Sequence, residues 1–306
     1  MLKKIGLSTI VLFVIICTIC ILIYGTKIFT FFQQQYFQFI NQNNFFINKG
    51  QVQELVLVST VLKDDNRQVN VYLPFEYDLN LDKRYPVVYF LHGFPGNESD
   101  WLINGNLQNT LDEMIFKKEI PPMIFVFPNA NGLFVEDSQY VDATKVDQNM
   151  GSFISKELVG YIDSKYRTLA NRSSRIIGGS SSGGFGSLSI GLKNNDVFGI
   201  IISHSGYTNM DKLNADDLYQ NLSDFSNDDP INLINKNPLN SETYVYFDIG
   251  SYDNASFIQD NNNLRDLLNK KGVTNTFKLT SGSHGWEVWR VNVKKSLKFI
   301  GNHVIY

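Results

Sequence analysis

The run Ile176-Ile177-Gly178-Gly179-Ser180-Ser181-Ser182-Gly183-Gly184-Phe185-Gly186 sets three serines in a row between glycine pairs. A serine hydroxyl becomes a useful nucleophile when a base takes its proton and when N–H groups await the oxyanion that forms. The pattern Gly-x-Ser-x-Gly, placed between a strand and a helix, is built for this. Its serine sits on a strained turn, and the residues two before and two after it crowd neighbouring backbone, so both must be very small. That requirement separates the three serines. Ser181 has Gly179 and Gly183 in those places, whereas Ser180 would have Ser182 after it and Ser182 would have Ser180 before it. Ser181 is therefore the candidate nucleophile. The Ser182 N–H, at the positive end of the following helix, is a candidate oxyanion donor. A flexible linker has no place between a buried strand and a helix in mid-domain. A Walker-type phosphate loop needs Lys followed by Ser or Thr after its second glycine, and none is here.

A serine of this kind needs a base, and the chain has four histidines. His92, in Phe90-Leu91-His92-Gly93-Phe94-Pro95-Gly96, lies at the C-terminal end of an expected strand. Such a loop supplies the second oxyanion donor, here the Phe94 N–H, and His92 is expected to shape the turn. His204 ends another strand and is expected in the core. His303 is expected at the surface. His284, in Thr280-Ser281-Gly282-Ser283-His284-Gly285-Trp286, follows the last expected strand in a glycine-flanked loop and is the candidate base; a surface-loop histidine is the bland alternative. Where an elbow carries the serine, its partners follow in the order serine, acid, histidine. The stretch from Thr243 to Ser256 offers Asp248 and Asp253. Asp248 falls within a strand and reads as structural. Asp253 follows Gly250 in a loop off the C-terminal edge of the sheet and is the candidate acid. Asp260 and Asp266 belong to the next helix and are expected on its solvated face. The histidines lack paired ligand spacing, so neither metal nor cofactor is expected.

The elements that must position these residues alternate between strand and helix. Residues 54–60 and 67–74 alternate in β-branched and polar residues, as strands do. Residues 86–93, 122–129, 173–179, 199–206 and 243–250 are near-continuous apolar runs ending in turn residues, the pattern of strands covered on both faces. Residues 153–166, 187–195, 261–272 and 286–304 read as helices, the third with a glycine stop. Together they imply an α/β sandwich around a mostly parallel sheet, with helices on both faces. Residues 207–240, rich in Asp and Asn with Tyr219, Leu222 and Phe225 interspersed, break the rhythm; a cap over the substrate cleft and a solvated insertion both fit.

Ahead of this domain, residues 5–24 are uncharged and almost wholly apolar, preceded by Lys3 and Lys4. A helix of that length spans a bilayer core, and the lysines favour a cytoplasmic N-terminus. The expectation is a transmembrane anchor within residues 1–25, a juxtamembrane spacer over 26–50 and an extracytoplasmic catalytic domain over 51–306. A cleaved secretory signal is the alternative. The two cysteines, Cys17 and Cys20, both fall in the apolar run, so the domain has no disulfide to lean on. A net charge of −3 argues against a nucleic-acid partner.

Four stretches, at 85–101, 161–188, 196–206 and 282–290, resemble the esterase family of α/β-hydrolases, which includes esterase D (S-formylglutathione hydrolase), feruloyl and acetyl xylan esterases and the antigen 85 mycolyltransferases. The resemblance runs over residues 52–303. It implies the α/β-hydrolase fold, Ser181 as nucleophile, Asp253 as acid, His284 as base, and an oxyanion hole from the N–H groups of Phe94 and Ser182. Trp286, Trp289 and Arg290 match the family's His-x-Trp-x-x-Trp-Arg pattern, whose first tryptophan lies near the site. Trp286 and Trp101 are the expected substrate contacts. The place of Ser182 is often Met in the family, and an N-terminal anchor is foreign to cytosolic esterase D. The expected activity is hydrolysis of a small-molecule, glycan or lipid acyl ester through an acyl-enzyme. An acyltransferase to a sugar or glycolipid hydroxyl carries the same triad and stays open, as does a non-catalytic binding module on the same fold.

Overall fold

Short apolar runs with no polar face can rest only inside a sheet covered on both sides. Val87–Leu91, Ile124–Pro128, Arg175–Ser180 and Ile200–His204 are such runs, and each is buried along its whole length. The computed structural model, which describes residue 12 and residues 49–63, 65–209 and 215–306, places them at the centre of an eight-stranded sheet. The strands are β1 (Gln51–Ser59), β2 (Asp65–Leu73), β3 (Val87–Leu91), β4 (Ile124–Pro128), β5 (Arg175–Ser180), β6 (Ile200–His204), β7 (Tyr244–Gly250) and β8 (Thr274–Thr280). Their order across the sheet is β1-β2-β4-β3-β5-β6-β7-β8. The β1–β2–β4 end is antiparallel; from β4 to β8 the strands run parallel.

The helices are α1 (Leu107–Phe116), α2 (Val159–Lys165), α3 (Ser182–Lys193), α4 (Pro230–Lys236), α5 (Ala255–Lys270) and α6 (Trp286–His303). Successive strand residues point to opposite faces. Val87, Tyr89 and Leu91 accordingly join a core with Ile162, Leu188 and Leu264 from α2, α3 and α5. Val88 and Phe90 join the opposite core with Leu111 and Met114 of α1 and Val293 and Leu297 of α6. Parallel strands aim their C-terminal ends at one edge, and there the loops after β3, β5, β6, β7 and β8 gather.

Two local expectations shift. Helix α3 begins at Ser182 rather than Ser187. Glycine costs about 1 kcal/mol in a helix relative to alanine, yet Gly183, Gly184 and Gly186 are all helical; at Gly186 close packing requires the glycine, since a Cβ would come within 2.6 Å of the Tyr140 ring. In the 207–240 stretch, Leu218, Tyr219 and Phe225 are buried against Val141, Phe185 and Tyr207, so the described part is packed onto α3.

The expected transmembrane helix is corrected, and with it the single-pass membrane location, the membrane contact and the extracytoplasmic placement. Spanning takes about 20 apolar residues in one helix, and among the described residues no helix is long and apolar enough to cross a membrane. The longest, α6, has 18 residues and carries Glu287, Arg290, Lys294, Lys295 and Lys298. Residues 5–24, apart from Leu12, lie outside the described residues.

The core on the α3 side should be sensitive to volume. Phe198 is fully buried and meets Tyr89 edge-on with ring centroids 5.9 Å apart. Phe198→Ala should lower unfolding free energy by about 3–5 kcal/mol, measured by urea unfolding with an unchanged m value; a loss under about 1 kcal/mol would show that this core collapses freely around the gap.

Candidate active site

Ser181 stands between β5 and α3 with φ 55° and ψ −119°, a conformation that costs a non-glycine residue about 1–3 kcal/mol. Two backbone bonds hold it there. The Ser181 N–H donates to the His204 carbonyl at 2.9 Å, and the Ser181 carbonyl accepts from the Phe185 N–H at 3.0 Å. The flanking glycines are required by close approach. A Cβ on Gly179 would lie 2.6 Å from the Gly183 carbonyl oxygen and 2.7 Å from that of Leu91; one on Gly183 would collide with the His92 and Leu91 carbonyls. The β3 loop therefore lies against the elbow from both sides of Ser181.

His284 and Asp253 arrive from two other loops. His284 Nε2 is 2.8 Å from Ser181 Oγ, although the residues are 103 apart in sequence. Its Nδ1 is 2.8 Å from Asp253 Oδ2 and 3.1 Å from Oδ1. The Asp253 side chain is 1% exposed and that of His284 33%, so the acid is shielded while the imidazole meets solvent. The two loops are stitched together: Ser251 N–H donates to Thr280 O, and Tyr252 N–H to Gly282 O. Glu287, at the start of α6, accepts from the Ser283 N–H and hydroxyl, which hold its carboxyl below the ordinary glutamate value.

The loop after β3 faces the same point. Gly93 packs so closely that a Cβ there would lie 3.1 Å from Ser181 Cβ. The next residue, Phe94, is exposed. Ser182 is the first residue of α3, so its N–H has no partner within the helix. Both expected oxyanion donors thus belong to backbone that borders Ser181. His92 braces this loop. Its Nδ1 lies 2.9 Å from the Gly93 carbonyl and so carries the hydrogen, its Nε2 accepts the Ala130 N–H at 3.1 Å, and its carbonyl accepts the Tyr140 hydroxyl at 2.6 Å. With both nitrogens occupied, His92 is a neutral structural pin, as expected, and not a base.

The other sequence candidates divide. Trp286 is half-buried beside the site, whereas Trp101 is corrected from a substrate contact to a support. It is 1% exposed, donates its indole N–H to Leu91 O at 3.0 Å, and meets Trp286 edge-on at 5.0 Å. His204 is buried as expected, with Nδ1 2.7 Å from Asp248 Oδ2. Asp248 is therefore structural, away from His284. Asp266 is exposed, but Asp260 is buried, at the wall of an open surface cleft of about 570 Å³ that Thr208 and Phe225 also line. His303 is half-buried, its Nδ1 2.9 Å from Phe299 O. Sequence reasoning placed Trp289 in the family's pattern without giving it a role; its ring meets the His284 imidazole edge-on at 5.3 Å. Its four-residue spacing from Gly285 and the start of α6 was the available signal.

Burial pushes the His92 imidazole below its ordinary value. The unfolded chain then binds a proton that the folded chain refuses, so stability is full above about pH 6.5 and falls as pH drops below it, by up to about 1.4 kcal/mol per pH unit until the folded value is passed. The wild type should lose stability between pH 7 and 5 more steeply than His92→Asn, measured by urea unfolding at each pH. Equal slopes would remove His92 as the source.

This geometry can be set beside known proteins. The family model described as "Putative esterase" matches residues 59–300. An uncharacterized protein of Corynebacterium glutamicum is 25% identical over 247 residues, covering 77% of this chain and 57% of the relative. An endo-1,4-beta-xylanase/feruloyl esterase of Xylanibacter ruminicola is 31% identical over 168 residues, covering 54% of this chain and 23% of the relative. The chain thus spans less than two thirds of the length of either. A solved ferulic acid esterase superposes with a TM-score of 0.74 at 26% identity, over 83% of this chain and 99% of that one. With a family match over nearly its whole described length and the fold to go with it, the chain belongs to the esterase family of α/β-hydrolases.

Proposed function

We propose that the chain is a serine esterase that hydrolyses a carboxylic acyl ester through an acyl-enzyme on Ser181. What supports this reading is one observation above all: Ser181 Oγ, on its strained turn, lies 2.8 Å from His284 Nε2, while His284 Nδ1 faces the shielded Asp253. Ser181 Oγ attacks the ester carbonyl carbon as its proton passes to His284 Nε2. The carbonyl oxygen becomes an oxyanion and takes hydrogen bonds from the Phe94 and Ser182 N–H groups. The C–O bond breaks, and the leaving alcohol collects the proton from His284. Water then attacks the acyl-enzyme, gives its proton to His284, and the acid leaves as the proton returns to Ser181. Asp253 keeps the hydrogen on Nδ1 and stabilises the imidazolium; it does not take the proton.

The exposure of His284 favours hydrolysis over acyl transfer, because water reaches the imidazole without displacing protein. For the substrate, the half-buried Trp286 and the exposed Tyr252, next to Asp253, offer ring faces to an acyl or sugar group. Similarity to proteins named as a ferulic acid esterase and an endo-1,4-beta-xylanase/feruloyl esterase fits a carboxylic ester carried by a xylan-type sugar.

The test uses p-nitrophenyl acetate and an acetylated xylo-oligosaccharide. Ser181→Ala should remove turnover, and Asp253→Asn should lower kcat by about 10³–10⁴-fold with a wrong-tautomer pH profile. With free sugar added, acetic acid should exceed acetylated sugar. Turnover intact in Ser181→Ala would sink the triad, and excess acetylated sugar would make the chain a transferase.

A further inference from the structure

The step His204–Ser205, at the end of β6, touches both the serine and the histidine of the site. The His204 carbonyl accepts the Ser181 N–H at 2.9 Å. That bond opposes any relaxation of the strained Ser181 backbone. Ser205 is itself held at φ 49°, a second non-glycine residue in the left-handed region. Its N–H donates to the Asp248 carbonyl at 2.7 Å. Its hydroxyl accepts the Trp289 indole N–H at 3.1 Å, and the Trp289 ring meets the His284 imidazole edge-on, 83° between planes.

The side chain of His204 fastens the same step from beneath. Its Nδ1 is 2.7 Å from Asp248 Oδ2 and its Nε2 is 3.1 Å from Ser296 Oγ. His204, Asp248, Ser205 and Ser296 are all 0% exposed. Trp289 and Ser296 lie about two turns apart on α6, so they share one face. Helix α6 is therefore pinned to the end of β6 twice, through Trp289 to Ser205 and through Ser296 to His204. His284 stands two residues before that helix begins. Asp248, the third anchor, sits on β7, whose following loop carries Asp253. Buried polar sets of this kind often add no stability over apolar residues of similar volume. What the polar set adds is direction: each bond fixes where a neighbouring backbone or ring must lie.

We propose that His204 and Ser205, anchored by Asp248, Ser296 and Trp289, form a positioning device that sets the separation of Ser181 from His284. It rests on Ser181 and His284 being nucleophile and base. None of the five is a catalytic residue: all are buried behind the site. They act by holding the hydroxyl and the imidazole at attack distance.

The experiment compares wild type, Ser205→Ala, Trp289→Phe and the double variant. It measures kcat and KM on p-nitrophenyl acetate, the rate of phosphonylation by a fluorophosphonate, and the thermal midpoint. Each single variant should lower kcat and the phosphonylation rate about tenfold or more, as a misplacement under 1 Å does, with KM changed less than about twofold. Both substitutions remove one bond, so the double variant should be no slower than the slower single variant. If Trp289→Phe does not fold, Ser296→Ala is measured as a single variant only, a cut in the other attachment, with the same loss of kcat expected and the double-variant criterion set aside. A folded Ser205→Ala with wild-type kcat, or single losses that multiply in the double variant, would overturn the proposal. A wild type that the phosphonate does not label would instead overturn the catalytic assignment.

Discussion

The structure turns on one tight backbone contact, the approach of the loop after β3 to the turn between β5 and α3. At that contact Gly179 and Gly183 meet the Leu91 and His92 carbonyls at distances that admit no Cβ. The same contact puts Ser181 at positive φ and brings the Phe94 and Ser182 backbone to its border. Strain of about 1–3 kcal/mol persists only where the surroundings over-determine it. Here they do: three adjacent parallel strands, β3, β5 and β6, end side by side, with Leu91, Gly179 and Ser203 in one row and Ser180 beside His204 one residue further on.

The rest of the molecule serves that row. Two apolar layers, α1 and α6 on one face and α2, α3 and α5 on the other, hold the strands in register. The residues proposed to carry charge in the chemistry come from loops beyond the sheet edge, where His284 meets solvent and Asp253 does not. The buried histidines have a different task. His92 and His204 spend both ring nitrogens on fixed bonds, one bracing the oxyanion loop and the other the end of β6. Histidine is thus a pin at these two places, and His284 is the one proposed to carry a proton.

Much of this was legible from residue types and spacing because the constraints are local. Apolar runs ending in glycine marked the buried strands, and the two glycines singled out Ser181 among three serines. The choice of Asp253 over Asp248 followed from one lying in a loop and the other in a strand. What stayed hidden depends on partners far apart in sequence. The His204–Asp248 bond spans 44 residues and His204–Ser296 spans 92, so neither leaves a motif. Trp101 reads in sequence as a substrate contact because nothing local shows that its N–H is taken by Leu91. Asp260 sits at a helical position that reads as solvated but is buried in the wall of an open cleft. The early start of α3 ran against glycine's poor helix propensity, and the close packing that requires those glycines comes from residues distant in sequence. The apolar run at residues 5–24 pointed to a membrane span that no described helix supplies.

The central claim is that Ser181, and neither neighbour, forms the covalent bond. It can be tested by quenching the protein with acid during turnover of an activated aryl ester and sequencing the tryptic peptide from Ile176 to Lys193 by mass spectrometry. That peptide holds all three serines. The account predicts one acyl group, located by fragmentation on Ser181. An acyl group on Ser180 or Ser182, or turnover with none trapped anywhere in the peptide, would contradict it.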